Sequence, residues 1–442
     1  MVFPTFVFVC CFLPVALALY YFAQPRLRNF VLLATSLVFY SWGNAWNLAV
    51  LLAVALVTYL GALLPRNRWI CGAFILANIA ALCHFKFFGA AMPLGISFFV
   101  FQTVAYLVDV YRGDVEPETN FLEFLLFLSF FPKVSQGPIV KYKALSAEIK
   151  SRTETLALFN SGVRRFIVGF AKKILVANTM GAMADQIFGA PVDSFGPLVA
   201  WGGAIAYTLQ LYFDFSGYSD MAIGLGEMFG FHISENFDFP YVSNSVTEFW
   251  RRWHITLGAW FRDYLYIPLG GNRVSKGRNL FNLSVVFLAT GIWHGAAWTF
   301  VVWGAWHGAF IILERLTGWH KRLDSFLMRA VHHVYLLLII IFGWVLFRAD
   351  GFGYALKYMA NMLGLLPVMP VYAPGYYFSP FNLIVMALGT ILSFGICKNL
   401  LSAGSAGRWR AVALDAWLIV LFLLSAAFLA GSSYSPFIYF KF

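Results

Sequence analysis

Two histidines are candidates for acid–base chemistry because of the residues that surround them. His254 lies in the segment from Thr247 to Arg273, a polar stretch rich in charged and aromatic side chains. His294 lies in a run from Gly291 to Phe310 that contains no Asp, Glu, Lys or Arg. Histidine ordinarily titrates near neutrality, and an ionisable group inside an apolar run that could span a bilayer is a functional-site candidate. These patterns predict a site that moves a proton.

The charged and aromatic neighbours of the two histidines are candidates for binding a substrate or an anionic donor: Arg251, Arg252, Arg262, Asp263, Arg273, Trp293 and Trp298. The simpler interpretation of the polar segment is an amphipathic helix at the membrane surface, whose arginines reach the lipid head groups. On a continuous helix Arg251 would share the face of His254. Asp263, 263 − 254 = 9 positions later, would lie opposite and would not orient it.

The second Trp-His-Gly sequence suggests a structural histidine. If Gly291 to Phe310 formed one straight helix, His307 would be separated from His294 by 307 − 294 = 13 residues, or about 20 Å, so the two would not share a site. We expect His307 to be structural or to support a residue of the site without belonging to it. The Gly-xxx-Gly pairs in the same run predict that helices approach closely there. Interfacial or loop positions are expected for the remaining histidines, His84, His232, His320, His332 and His333.

The elements that must position these residues are membrane helices. Of the 442 residues, 61% are hydrophobic and 12% charged, against about 25% charged in soluble domains. We predict an all-α, polytopic membrane protein with about ten spans, plus re-entrant pieces. The apolar runs that carry this prediction are Phe3 to Phe22, Trp46 to Leu64, Trp69 to Phe88, Pro197 to Phe213, Leu280 to Ile312, Val331 to Phe347, Leu383 to Cys397 and Ala411 to Leu429.

Charge and cysteine usage add two expectations. The excess of basic residues, 31 − 20 = 11, and the arginines at positions 26, 28, 66 and 68 place the loops after the first and third spans inside and the N-terminus outside. The five cysteines stand mostly in apolar runs without metal-ligand spacing, which predicts buried thiols. No metal site is expected. The sequence also lacks GxSxG, HExxH, P-loop and CxxC motifs.

Three central blocks resemble the membrane-bound O-acyltransferase family, in the bacterial branch that includes alginate O-acetylation and D-alanyl-lipoteichoic acid proteins. They are QLYFDFSGYSDMAIGLGEMFGF (210–231), ENFDFPYVSNSVTEFWRRWHITLGAWFRDYLYIPLGGNR (235–273) and TGIWHGAAWTFVVWGAWHG (290–308). LGISFFVFQTVAYLVDVYRG, FFPKVSQGPIVKY, GWVLFRAD and the closing PFIYFKF agree with it. The resemblance covers essentially the whole chain and implies one transmembrane domain, residues 1–442, with its catalytic blocks at about 210–310. It also implies that the helices surround a central funnel lined by the polar segment.

The resemblance implies a specific chemistry for this domain. His294 would be the general base, and His254 would position a substrate or help to stabilise the oxyanion. No cofactor would be bound. Acetyl-CoA or an acyl carrier would supply the acyl group from the cytoplasm, and the arginines would attract the phosphates or acidic surface of that donor. The acceptor would be a hydroxyl of an extracytoplasmic polysaccharide such as alginate, another exopolysaccharide or peptidoglycan.

The resemblance also implies a cellular setting. The chain would lie in the lipid of the bacterial inner membrane, with no nucleic acid as partner, and would act with an extracytoplasmic SGNH-type esterase or acetyltransferase. Two alternatives stay open on the sequence alone. D-alanyl transfer to teichoic acid is the nearest enzymatic alternative, and a transporter of an acyl donor or lipid, with the histidines as a proton relay, is the alternative from another class.

Overall fold

A computed structural model describes Met1 and residues 3–88, 91–321, 325–396 and 408–431, and every regular element within these residues is helical. The all-α prediction is confirmed. The helices are α1 (Val7–Phe22), α2 (Arg28–Ser41), α3 (Ala45–Leu63), α4 (Arg68–Phe87), α5 (Ile96–Arg112), α6 (Phe121–Ser129), α7 (Phe131–Val134), α8 (Tyr142–Lys150), α9 (Leu156–Phe188), α10 (Pro197–Met228), α11 (Val246–Arg252), α12 (Ile255–Phe261), α13 (Lys276–His294), α14 (Trp298–Thr317), α15 (Phe326–Arg348), α16 (Phe352–Met362), α17 (Pro374–Tyr377), α18 (Pro380–Ser393) and α19 (Arg408–Gly431).

Five of these helices are long and apolar enough to cross a bilayer, and two more, α1 and α18, are apolar but shorter. The five are α3, α4, α9, α15 and α19. Four of them fall on predicted apolar runs, whereas α9 was not predicted, because its basic and polar residues interrupt the apolar pattern. The chain is therefore a multi-pass membrane protein, as its composition predicts.

The chain divides into two compact units, one formed by Met1–Phe170 and Tyr218–Glu235 and the other by Ala171–Gly217 and Asn236–Phe442. The chain passes from one unit to the other at three points: two fall within helices, α9 and α10, and the third, between Glu235 and Asn236, falls in the connection after α10. Both candidate histidines belong to the second unit.

In the first unit, ion pairs bring the two arginine-bearing loops to one end. Arg28 pairs with Glu154 at 2.8 Å, and Arg66 pairs with Glu116 at 2.8 Å. Lys150, four residues before Glu154, pairs with Glu118 at 3.1 Å, which connects the two regions. The loops after α1 and α3 therefore lie on the same side of this unit, in agreement with the predicted alternation, while the orientation in the membrane stays a prediction.

The second unit contains a helical hairpin where one apolar run was expected. The run from Leu280 to Ile312 is not one helix, because α13 ends at His294 and α14 begins at Trp298. The expected close approach occurs within this hairpin. A Cβ on Gly291 would lie 2.4 Å from the backbone oxygen of Phe300, and a Cβ on Gly304 would lie 2.4 Å from that of Phe287. Only glycine at these positions allows the two backbones to come so near.

Two minor expectations are corrected. Cys10 and Cys11 are exposed on the surface of α1 and not buried, because a helix that faces lipid can present small thiols outward. Cys397 lies outside the described residues. His332 and His333 lie within α15 and not in a connection, and the His332 ring packs against Trp319 with 4.1 Å between ring centroids.

Candidate active site

His254 lies at a break between two short helices. α11 begins after Ser245, whose hydroxyl accepts a hydrogen bond from the Glu248 amide at 3.0 Å, and it ends at Arg252. His254 then adopts a left-handed backbone conformation with φ 46°, and α12 begins at the next residue. The expectation of one continuous helix through this segment is therefore wrong. A left-handed conformation is uncommon outside glycine and often marks a functional position.

Asn236 orients the His254 ring. The Asn236 side-chain oxygen lies 3.1 Å from Nδ1 of His254, and it also accepts hydrogen bonds from the amide and hydroxyl of Thr256 at 3.2 and 2.9 Å. Because the backbone amide of Thr256 can only donate, the Asn236 atom at this position is the oxygen and not the nitrogen. Nδ1 of His254 therefore carries the proton and donates it, which leaves the lone pair of the neutral imidazole on Nε2.

The backbone of the same segment reinforces this arrangement. The amide of Ile255 donates to the backbone oxygen of Asn236 at 2.9 Å, and the amide of Asp238 donates to that of Arg252 at 3.0 Å. Residues 236–238 are thus hydrogen-bonded to the backbone on both sides of His254. The histidine is buried, with 3% of its surface exposed, and its ring packs edge-on against Phe215 at 4.6 Å between centroids.

His294 closes α13 inside an aromatic cluster. Its ring lies 5.1 Å from that of Trp303 and 5.0 Å from that of Phe347, in each case nearly perpendicular, and 6% of the residue is exposed. The next residue, Gly295, ends the helix, and a Cβ there would lie 2.5 Å from the Phe300 ring. The Trp-His-Gly sequence therefore places an imidazole at a helix end and lets an aromatic ring pack directly beside the chain reversal.

Trp293 is close to both candidate histidines. Its ring is 6.4 Å from that of His254 and 4.7 Å from that of His294, measured between centroids. The structure thus brings together His254, Trp293 and His294. The two histidines are separated by 294 − 254 = 40 positions in the sequence. Trp293, one of the predicted binding residues, is itself buried, with 7% of the residue exposed.

The remaining predicted binding residues take other positions. Arg252 forms ion pairs with Glu248 at 2.9 Å and Asp238 at 3.2 Å. Arg262 pairs with the adjacent Asp263 at 2.7 Å, and this hydrogen bond raises the pKa of the Arg262 guanidinium above its ordinary value. Exposed positions are occupied by Arg251, Arg273 and Trp298. Three of the four arginines, at 251, 262 and 273, are thus exposed, and Arg252 is partly buried by its ion pairs.

His307 packs within the protein, as expected of a structural residue. It is fully buried, and its ring lies 5.0 Å from that of Trp250 and 5.2 Å from that of Trp303. A Cβ on Gly343 would lie 2.5 Å from Nε2 of His307, so α15 carries a glycine where the imidazole packs. Because α13 and α14 form a hairpin, Trp303 contacts both His294 and His307, and the separation calculated for one straight helix does not apply.

Asn236 is the site residue that sequence reasoning missed. It stands within the block 235–273, but its role depends on the left-handed turn at His254, which no periodicity indicates. The sequence carried no signal for it, because Asn236 lies in no helix and bonds to a residue 18 positions later.

The comparisons with known proteins show which family the chain resembles. Residues 8–349 match the family model of the membrane-bound O-acyltransferase family. The chain is 38% identical over its whole length to the whole of the "Probable alginate O-acetylase AlgI" of Pseudomonas putida. It is 32% identical to the "Peptidoglycan O-acetyltransferase" of Helicobacter pylori, with 83% of this chain and 80% of that protein covered. The "Teichoic acid D-alanyltransferase" of Streptococcus thermophilus is 34% identical over 47% of this chain and 53% of that protein.

The chain belongs to the membrane-bound O-acyltransferase family. It is a multi-pass membrane enzyme that transfers an acyl group to oxygen. Among the alternatives drawn from the sequence, this decides for an enzyme over a transporter.

Proposed function

We propose that the protein moves an acetyl group from a cytoplasmic donor towards hydroxyls of an extracytoplasmic polysaccharide, with His294 as the general base. The observation that carries this proposal is the grouping of His254, Trp293 and His294 in one buried aromatic site. The full-length likeness to an alginate O-acetylase supports acetyl as the acyl group and a polysaccharide as the acceptor. The likeness to a D-alanyltransferase extends over 47% of the chain, which makes D-alanyl transfer the second candidate.

The chemistry assigned to His294 follows from the needs of acyl transfer. A hydroxyl oxygen attacks the carbonyl carbon of a thioester, and a base must take the hydroxyl proton as the tetrahedral intermediate forms. When the intermediate collapses, the thiolate leaves and receives that proton. General base catalysis of this kind contributes about 10²–10⁴-fold to the rate. The aromatic rings around His294 exclude water, which protects the thioester from hydrolysis.

His254 is proposed either to stabilise the oxyanion that forms on the carbonyl oxygen or to position a substrate. With Nδ1 held by Asn236, its ring has a fixed direction, and a fixed polar group is what stabilisation of a developing charge requires. Both histidine rings lie near the Trp293 indole, at 6.4 and 4.7 Å between centroids, so a substrate beside this indole is proposed to meet both. This arrangement supports separate roles for the two imidazoles.

The donor is proposed to be acetyl-CoA or an acyl carrier that approaches from the cytoplasm. Exposed arginines supply a positive surface for phosphates or an acidic protein. Arg251 and Arg273 are the first candidates, since Arg262 is already paired with a carboxylate. No bound cofactor is required for this reaction, and the protein is proposed to act in the bacterial inner membrane.

A separate extracytoplasmic protein of the SGNH type is proposed to complete transfer to the polymer. The segment 364–380 offers a surface for it. Two backbone hydrogen bonds hold this segment, from Met369 to Asp193 at 2.8 Å and from Val371 to Ser194 at 3.0 Å. Met369 is nevertheless 86% exposed, so this ordered loop presents apolar surface that a partner could cover.

The test is transfer by the purified protein in lipid nanodiscs without a transmembrane gradient. Labelled acetyl-CoA is supplied alone, then with acceptor polymer, and then with the candidate partner. The proposal expects release of free CoA thiol and labelled ester that depend on His294. Labelled D-alanine supplied on its carrier protein distinguishes the second candidate. Transfer of D-alanine but not of acetyl would overturn the acetyl assignment.

A further inference from the structure

We propose that Glu314 is a positioning residue for the transfer reaction, because its carboxylate fixes the register of α11 along α14 and thereby the place of His254 relative to His294. This inference rests on the proposed function for the roles of the two histidines. The contacts that Glu314 makes do not depend on the proposed function.

Glu314 holds the first turn of α11 with both carboxylate oxygens. One oxygen accepts from the amide of Val246 at 2.7 Å, and the other accepts from the amide of Thr247 at 2.9 Å and from its hydroxyl at 2.6 Å. Glu314 is itself 1% exposed. Hydrogen bonds to a buried charge are strong, and a carboxylate at a helix N-terminus also meets the positive end of the helix dipole. The residue therefore fixes where α11 begins.

The contacts further along α11 show that the helix follows one face of α14. Trp250 packs against His307 at 5.0 Å and against Trp303 at 5.6 Å between ring centroids. Positions 303, 307 and 314 differ by four and seven, which places them on one face of a helix (307 − 303 = 4, 314 − 307 = 7). As α11 proceeds from Val246 to Trp250, its contacts move from Glu314 back towards Trp303. The two helices therefore run antiparallel along the stripe formed by Trp303, His307 and Glu314.

The stripe connects the two histidines. Trp303, at one end of it, contacts His294 at 5.1 Å. Glu314, at the other end, fixes the start of α11, and α11 ends two residues before His254. Packing of Trp250 alone would allow a small slide or rotation of α11, since aromatic contacts tolerate such shifts, whereas three hydrogen bonds to one carboxylate do not. Loss of the carboxylate should move His254 and leave the α13 end that carries His294 in place.

The experiment measures turnover and local opening in the same set of full-length variants in nanodiscs. The variants are Glu314→Ala, Glu314→Gln and Thr247→Val, with Leu316→Ala as the control on the same helix, since Leu316 is 62% exposed. Turnover is followed as release of CoA thiol at varied acetyl-CoA concentration. Hydrogen–deuterium exchange is followed in peptides that cover 245–252 and 276–294.

The positioning role predicts a separation of effects. Glu314→Ala should lower kcat at least tenfold with KM for acetyl-CoA within twofold, and should speed exchange in 245–252 but not in 276–294. Glu314→Gln keeps one acceptor oxygen and should recover part of the loss. Thr247→Val removes one of three hydrogen bonds and should cost less than Glu314→Ala, and Leu316→Ala should match the wild type. In a His254→Ala background, Glu314→Ala should lower the remaining turnover less than twofold.

Three results would overturn the proposal: a kcat of Glu314→Ala within threefold of wild type, equal loss of protection in both peptides, or an undiminished effect in the His254→Ala background. If the wild type does not turn over acetyl-CoA, the proposed donor is wrong. Glu314 is then judged by the exchange data and by the ester content of cell-surface polymer in cells that carry the same variants. Those readouts do not depend on the identity of the donor.

Discussion

His254 and Asn236, 18 residues apart in sequence, form one hydrogen-bonded pair, in which the side-chain oxygen of Asn236 fixes which nitrogen of His254 carries the proton. The hydroxyl and amide of Thr256 bind the same oxygen and prevent the amide from turning over. The Nε2 lone pair of His254 is therefore set by a residue that precedes it and not by the acidic residue that follows it in the same block.

The first prediction concerns this pair. Asn236→Ala should lower kcat by about tenfold or more, because a catalytic group that loses its orientation reacts far more slowly. Thr256→Val is the matched control, since it removes a hydrogen bond to the same oxygen but not the bond to His254, and it should cost less than threefold. Steady-state turnover of acetyl-CoA measures both. Equal losses in the two variants would show that Asn236 has a purely structural role.

The second prediction concerns the proposed base. His294→Ala should abolish acyl transfer, a loss of about 10²–10⁴-fold, while expression and stability in detergent stay close to wild type. His232→Ala serves as the control, because His232 is exposed and pairs with Glu148 in the first unit. Ester formation on the acceptor is the measurement. Activity of His294→Ala within tenfold of wild type would remove it from the role of general base.

The helical class and the membrane location could be predicted from composition, because apolar length is set by bilayer thickness. The exact elements could not. The uncharged run through His294 and His307 is as long as one span, and nothing in its hydropathy distinguishes a straight helix from the hairpin that it forms. Gly295, which allows the reversal, also fits a Gly-xxx-Gly packing pattern, so the same residue supports both interpretations.

The site was predicted in part, for a related reason. His254 and His294 were identified by their residue types and by resemblance, and the structure places both beside Trp293. The assignment of Arg251 and Asp263 to opposite faces of one helix failed, because it assumes a regular backbone. His254 adopts a left-handed conformation that interrupts the helix. Asn236 and Glu314 act across elements, and single-sequence periodicity carries no information about such contacts.

The third prediction tests the hairpin. Gly291→Ala should lower the free energy of unfolding by about 1–3 kcal/mol, because the new Cβ would overlap a backbone oxygen that cannot move aside easily. Gly277→Ala, in the first turn of the same helix, has no heavy atom within 4 Å of the added Cβ and should be neutral or stabilising by up to about 1 kcal/mol. Thermal denaturation in detergent compares the two. An unchanged melting temperature for Gly291→Ala would mean that the helices are not in contact there.

The fourth prediction concerns orientation. Cysteines introduced at Leu27 and Leu64, beside the arginine loops, should resist an impermeant thiol reagent added to intact cells, because positive loops stay in the cytoplasm. Trp42→Cys, between α2 and α3, should be labelled and serves as the positive control. The native cysteines must be removed first, since Cys10 and Cys11 are exposed. Labelling at 27 and 64 but not at 42 would invert the predicted orientation.

The last prediction is that the chain does not modify polymer by itself. Recognition of an extended glycan needs a sizeable groove, and even drug-sized ligand sites occupy about 300–1,000 Å³. The connection over 364–380 is a short ordered loop, far below the roughly 50 residues of a small domain. The purified protein should therefore release thiol from acetyl-CoA slowly and leave added polymer unmodified until the SGNH-type partner is supplied.

Replacing the exposed Met369 and Val371 with Ser should weaken the response to the partner without changing the basal thiol release. Full acetylation of the polymer before the partner is added would refute the division of labour between two proteins.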